Sequence, residues 1–310
     1  MRVFLAGASG VIGRRLVPLL LADGHEVTAM TRTPQKLSEL SAMGAEPVLA
    51  DGLDGAAVAS AVSDARPDAV INQLTSIPPR IDPRKMERDF AVNDRLRIEG
   101  TRHLVAAAQR AGCKLILAQS IAFAYAPGPP GTIHSERDPL FLDAPPPFRR
   151  SARAVGELER TVLDAGGLVL RYGYFYGPGS AISQAGSVGE DVARRRLPIV
   201  GTGGGVWSFI HVDDAARATV KALDRGPSGV YNIVDDDPAR VSDWLPRLAE
   251  ALGAPSPRRV PALIARLAAG SYGVATMTRA QGASNELAKR ELGWSPEYPS
   301  WREGFRGGLD

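Results

Sequence analysis

Short apolar or β-branched runs recur along the chain, at Val3–Ala6, Glu26–Met30, Glu46–Leu49, Ala69–Asn72, Leu115–Ala118 and Leu168–Arg171. Helical patterns separate them. Leu16, Val17, Leu19 and Leu20 share one apolar face, Ala56 to Val62 provide another, and Ile98, Leu104, Val105 and Ala108 mark a long helix before Cys113. This alternation predicts βαβ crossovers, hence an α/β fold with a doubly wound parallel sheet covered by helices on both faces. Beyond residue 176 the rhythm weakens, glycines crowd Gly201–Gly205, and Pro246 and Pro261 bound the helical stretches. Residues 177–310 are therefore expected to form mostly a smaller C-terminal substrate-binding lobe, with 206–236 returning to the sheet domain of residues 1–176. The 260–277 stretch reads first as a core helix, with a lid or a dimer contact as the alternatives.

Composition narrows the class. The 310 residues are 44% hydrophobic and 23% charged, which excludes disordered, collagen-like and disulfide-scaffold proteins. Lysine and arginine number 37 against 34 acidic residues, a net charge of +3, and no basic run exceeds Arg194–Arg196, so nucleic acid is not an expected partner. The single Cys113 permits no internal disulfide and no cysteine-built metal site, and it reads as a small buried apolar residue. Met1–Ala6 is apolar like a signal peptide but runs straight into a glycine cluster, as a first strand does. No stretch of about 18 uncharged apolar residues occurs, so a cytoplasmic protein without a membrane span is expected.

Gly7-Ala8-Ser9-Gly10-Val11-Ile12-Gly13 follows the first strand and opens an apolar helix. Glycines there allow a tight turn and close approach of the backbone to a pyrophosphate, and the helix N-terminus adds free N–H groups. Gly7, Ser9, Gly10, Val11, Ile12 and Gly13 are thus candidate dinucleotide-binding residues of a Rossmann-type sheet. No Gly-Lys-Ser/Thr follows, against an ATP-type loop. The second strand ends in Ala29-Met30-Thr31-Arg32, where an enzyme that binds a free ribose 2′-hydroxyl usually places an acid. Arg32 suits a 2′-phosphate, so NADP is favoured over NAD.

These features, with Leu168–Gly179, Phe209–Ala216, Gly229–Ile233 and Leu292-Gly293-Trp294-Ser295-Pro296, resemble the extended short-chain dehydrogenase/reductase family, the NAD(P)-dependent epimerase/dehydratase group. The resemblance spans nearly the whole chain. It implies that Asp51 and Gly52 border the adenine, that Gln73, Leu74 and Thr75 line the ribose and pyrophosphate, and that Tyr172 to Phe175, including both of those aromatics, lie near the nicotinamide. It places Arg97 where the family carries an asparagine, and Asn93 shares its helical face. It also implies a homodimer through helices near 84–110 and 150–165, and a structural role for His211, Asp213 and Asp214 at the junction between lobes, with no metal.

Hydride-transferring members resemble one another in a serine or threonine after the fifth strand and in a Tyr-x-x-x-Lys on the next helix, where the lysine lowers the tyrosine pKa. Ser120 supplies the first. Aligned on Glu159, the second pair becomes Ser151 and Val155, and aligned on Glu157 it becomes Arg149 and Arg153. Ser120 and Tyr125 are accordingly the candidate catalytic residues, with Tyr174 and His134 as further donors. The expected function is an NADP-dependent oxidoreductase or epimerase/dehydratase-like enzyme with a non-standard acid/base, acting on a small carbonyl, sugar or polyketide-like substrate. The alternatives are an NADP-binding redox sensor without turnover and a non-redox isomerase or lyase that retains the nucleotide.

Overall fold

The computed structural model describes residues 1–82 and 84–310. Seven strands form one parallel sheet: β1 (Arg2–Ala6), β2 (Glu26–Thr31), β3 (Glu46–Leu49), β4 (Ala69–Asn72), β5 (Leu115–Ile121), β6 (Leu168–Tyr172) and β7 (Gly229–Ile233). Their order is β7-β6-β5-β4-β1-β2-β3. The chain reverses its direction of winding between β1 and β4, and in such sheets ligands sit at that switch, outside the strand carboxyl ends.

The period of two along each strand divides the core. Val3 and Leu5 of β1, Leu117 of β5 and Leu168 and Leu170 of β6 face α1 (Gly13–Ala22) and a later helix, α5 (Val212–Arg225). Phe4 and Ala6, Ile116 and Ala118, and Val169 face the opposite way, against α2 (Gly55–Ala65), α3 (Thr101–Arg110) and α4 (Arg149–Asp164). Strands buried on both faces read as continuous apolar runs, which is why they were legible as strands.

A third core holds the C-terminal part together and is rich in aromatic rings. Phe209 meets Trp244 and Phe305 edge-on, and Trp301 packs against Phe305. The buried Asp235 ties this core to the sheet, accepting the Trp301 N–H at 2.8 Å while its own N–H donates to the Phe209 carbonyl at 2.7 Å. Helix α6 (Ala262–Arg279) is broken at Gly270, whose φ of +68° is left-handed. Its first half leaves Leu263 and Leu267 about four-fifths exposed, and its second half packs inward.

One ion pair pins α4 beneath the sheet. Arg171 of β6 donates two hydrogen bonds to the Glu159 carboxylate of α4, at 2.6 and 2.9 Å, with both side chains only 5% exposed. Ser120 of β5 donates to the same carboxylate at 2.7 Å. Arg171 also donates to the Tyr125 hydroxyl, which in turn donates to Asn232 of β7 at 2.6 Å. Burial disfavours the Arg171 charge, but the bidentate pairing with Glu159 outweighs it and leaves the guanidinium more basic than usual. Arg171→Leu strands a buried carboxylate and should destabilise the fold by about 3–5 kcal/mol in urea unfolding, and adding Glu159→Leu should restore part of that loss.

Candidate functional site

The glycine loop closes on its own backbone. Gly7 has a φ of +83°, and a Cβ there would stand 2.4 Å from the Gln73 carbonyl oxygen. A Cβ on Gly13 would lie 2.4 Å from the Gly7 carbonyl oxygen, so neither position admits a side chain. Gly10 donates its N–H to Gly7 to form the turn. Val11 and Ile12 turn their side chains toward the core, which leaves the main chain of the loop for a ligand. Ser9 is anchored to Thr31 at the end of β2 by a 3.0 Å hydroxyl–hydroxyl bond.

The candidate cofactor residues gather around this loop. Arg32 is exposed beyond β2 with one nitrogen 3.4 Å from Ser76, while Arg14 lies 3.6 Å from Glu39. Asp51 is exposed and caps the Leu53 N–H; Gly52 is buried against Leu74, whose methyl would meet any Cβ at 2.6 Å. Thr75 is exposed after β4. Gln73 and Asn93 each keep one buried side-chain polar atom without a partner, Gln73 Oε1 and Asn93 Nδ2. A loop that admits no side chain at Gly7 or Gly13, the start of a helix beyond it and orphaned amides on Gln73 and Asn93 nearby fit a dinucleotide.

Tyr172, expected near the nicotinamide, closes β6. Its ring is buried in the core beneath the sheet on the α1 side, and its hydroxyl meets Gln73 at 3.1 Å and Thr219 at 2.6 Å. Phe175 packs on that ring at 5.3 Å between centroids. Tyr172 therefore reaches the loop after β4 only through Gln73. Ser120 also points away from any open space, since it is buried and its hydroxyl is donated to Glu159.

A cavity of about 360 Å³ opens between the loop after β5 and the second half of α6. Its wall is aromatic, with Phe123, Tyr125, Phe148, Tyr174 and Tyr272, and its polar atoms come from residues such as His134, Arg279 and Gln281. Tyr174 is stacked between Phe123 at 4.3 Å and Trp207 at 3.9 Å. Burial pushes the hydroxyls of Tyr125 and Tyr272 up to about 12 and that of Tyr174 well above its ordinary value. None of these three phenols is tuned to release a proton near neutrality. Helix α4, which packs behind the cavity, carries neither tyrosine nor lysine, and Ser151 and Val155 are buried on it. A larger depression of about 510 Å³ lies on the outside of α3 and α4, rimmed by Arg102, Arg149, Arg150 and Arg153, and touches neither the glycine loop nor the loops after β5 and β6.

Two features escaped the sequence patterns. Residues 96–100 form a π-helical turn just before α3. Asn93 accepts the Ser76 N–H at 2.9 Å and so holds the loop after β4, while Arg97 is buried nearer α4. The second half of α6 supplies Tyr272, Ala275 and Thr276 to the cavity, although its sequence reads only as small and apolar. At the lobe junction, Asp214 accepts the N–H groups of Glu297 and Tyr298, Asp213 pairs with Arg15 and His211 meets the Gly308 carbonyl at 3.0 Å, so all three are committed to packing contacts.

Fold and loop together define a dinucleotide-binding α/β protein with a small-molecule cavity over its strand ends. The chain belongs to the NAD dependent epimerase/dehydratase family, whose model matches residues 3–234. It is 47% identical, over 98% of its length and 99% of the relative's, to a 3-diazoavenalumate denitrifying reductase from a Streptomyces species. The fold is shared with a Thermus thermophilus UDP-glucose 4-epimerase solved with NAD, at a TM-score of 0.78 and 23% identity over 100% of this chain and 98% of that one. It is shared equally with a human epimerase family protein solved with NADPH, at 0.74 and 20% identity over 100% and 99% of the two chains. The protein is thus an NAD(P)-dependent oxidoreductase/epimerase-type enzyme, and no helix among the described residues is long and apolar enough to cross a membrane. Gly13→Ala should weaken binding of both NADH and NADPH at least about tenfold, read by titration of nicotinamide fluorescence, because the added methyl displaces the loop backbone.

Proposed function

We propose that this enzyme uses NADPH to reduce a diazo-bearing aromatic acid with loss of dinitrogen. The observation that carries this reading is an aromatic cavity whose tyrosines are all pushed away from acidity, in a chain 47% identical to a denitrifying reductase. Carbonyl reduction leaves an alkoxide that must be protonated, which is the task of a tyrosine with a lowered pKa. Replacement of a diazonium group leaves no oxyanion. When bound, the reduced nicotinamide supplies the hydride equivalent; in the net conversion the ring carbon gains a C–H bond, the C–N bond breaks, and its electron pair leaves with N2. Charge balances without a proton.

The residues of the chain then bind, orient and exclude water. Phe123, backed by the Tyr174 ring stacked behind it, lines the cavity as an apolar surface for a planar arene, and Phe148 stacks on Tyr272 at 4.9 Å to close the wall. Tyr125 is held by Arg171 and Asn232 and stacks on His134 at 4.7 Å, so in this reading it is a fixed wall and not a proton donor. Ser120 acts as a positioning residue through Glu159. A water-poor site also protects a reactive diazonium from hydrolysis.

The preference for NADPH rests on Arg32, which stands exposed beyond β2 with only a long contact to Ser76, where no acid competes for a ribose hydroxyl. Arg32→Ala should weaken NADPH binding at least about tenfold and leave NADH binding within about twofold; equal losses would sink the assignment. Incubation with NADPH and an arenediazonium carboxylate should release N2 and consume one equivalent of NADPH, and reduced cofactor deuterated at the transferring carbon should label the ring. Release of N2 without cofactor oxidation, or an absence of deuterium from the ring, overturns the reading. The rate of the chemical step should be flat between about pH 7.5 and 9.5, because the phenols of Tyr125 and Tyr272 titrate near 12 and stay protonated throughout that window.

A further inference from the structure

No carboxylate lines the aromatic cavity among the described residues, whereas a guanidinium does. Arg279 stands in the last turn of α6, where a cation suits the partial negative charge of the helix carboxyl end. The same placement sets it in the cavity wall, exposed and, among the described residues, with no hydrogen bond or ion pair to an acid. Its fork of N–H donors is free for a ligand.

His134 lines the cavity beside it. Ile133 and His134 pair in parallel with Gly282 and Ala283, so the chain that leaves α6 runs along the histidine. His134 is 3% exposed and stacked on Tyr125, and both of its ring nitrogens meet oxygens. Nδ1 is 3.3 Å from Asp138 Oδ2, and Nε2 is 3.2 Å from Gln281 Oε1. The Gln281 amide is fixed in this orientation by main-chain groups. Its Nε2 donates to the Gly128 and Pro129 carbonyls at 3.1 and 2.7 Å, and its Oε1 accepts the Gly128 N–H at 2.7 Å. Asp138 accepts the Ser135 N–H at 2.8 Å, a bond that holds its carboxyl below the ordinary range and keeps it an acceptor. A neutral imidazole has one donor and would set a lone pair against one of these oxygens, whereas an imidazolium donates to both.

We propose that the end of the cavity formed by Arg279 and His134 is the carboxylate-binding end of the substrate site. Arg279 pairs with the carboxylate of an aromatic acid, and His134, with a proton on each ring nitrogen, adds a fixed positive charge in the wall. The proposal rests on reading the aromatic cavity as the substrate site, but it does not depend on the diazo chemistry. Both nitrogens of His134 are committed, so it acts through its charge, and Asp138 and Gln281 are positioning residues that hold it. Two cations at one end also repel a diazonium, so they orient such a substrate with its diazo group away from them.

The test uses the enzyme saturated with NADPH and two unreactive probes of the same shape, 4-methoxycinnamate and the neutral 4-methoxycinnamide. Wild-type enzyme should bind the acid at least about fivefold more tightly than the amide in calorimetric titration. Arg279→Met should bring the two affinities within about twofold of each other while amide and NADPH binding each change by less than about twofold. Arg279→Lys should recover part of the preference, as a charge without the fork. In enzyme labelled with nitrogen-15 histidine at neutral pH, the His134 ring, identified by its nuclear Overhauser contacts with Tyr125, should carry a proton on both nitrogens. Equal wild-type affinity for the two probes overturns the proposal without any variant. So does an Arg279→Met enzyme that retains the preference, or one that loses NADPH affinity in parallel, which would assign Arg279 to the cofactor. A single ring N–H on His134 overturns the two-cation site. Acid preference without N2 release would remove the diazo reading and leave this one standing, and N2 release without acid preference would do the reverse.

Discussion

Much of the site depends on the buried pair between Arg171 and Glu159. A guanidinium fork against a carboxylate joins the middle of the sheet to the helix behind it, and both are nearly sealed from water. That pairing is oriented by partners on either side: Ser120 occupies a lone pair of Glu159, and Tyr125 occupies a donor of Arg171. Asn232, which accepts from Tyr125, carries the chain of bonds on to β7, and its own N–H donates to Glu136. Removing any one member would leave a polar group unsatisfied in a low-dielectric interior, so the set is held as a unit.

This network also limits what chemistry the cavity can perform. A tyrosine that donates to Asn232 and accepts from an arginine has its proton and its lone pair committed, and burial makes that proton harder to remove. The other cavity phenols are pushed in the same direction by the same desolvation. The region presents a largely aromatic wall whose rings are fixed by stacking and hydrogen bonds.

The C-terminal aromatic core shows a different economy of construction. It is built from large rings meeting edge-on, and Asp235 fastens it to the sheet through main-chain N–H groups rather than through an ion pair. Desolvation raises the Asp235 pKa well above its ordinary range, while its carboxylate accepts the N–H groups of Trp301 and Asp237. The left-handed Gly270 lets one stretch of chain serve two environments. Residues before it expose Leu263 and Leu267, and residues after it line the cavity.

Which features were legible along the chain follows from the range of the forces involved. The inner strands of the sheet were readable because they are buried on both faces, and the glycine loop because a left-handed Gly7 and a Gly13 whose Cβ would meet the Gly7 carbonyl at 2.4 Å exclude side chains locally. Family membership followed from motifs of the same short range. The direction of Tyr172 was not readable. It lies on β6 beside residues implied at the nicotinamide, yet the pleat turns its ring to the α1 side. Spacing brings Arg97 within reach of Asp94, three residues earlier, but it could not reveal that both would be buried against α4, because that burial exists only once the helices pack. Local backbone geometry is written in adjacent residues. The charge state and partners of a buried side chain are set by groups brought from far along the chain, and these emerge only in the assembled molecule.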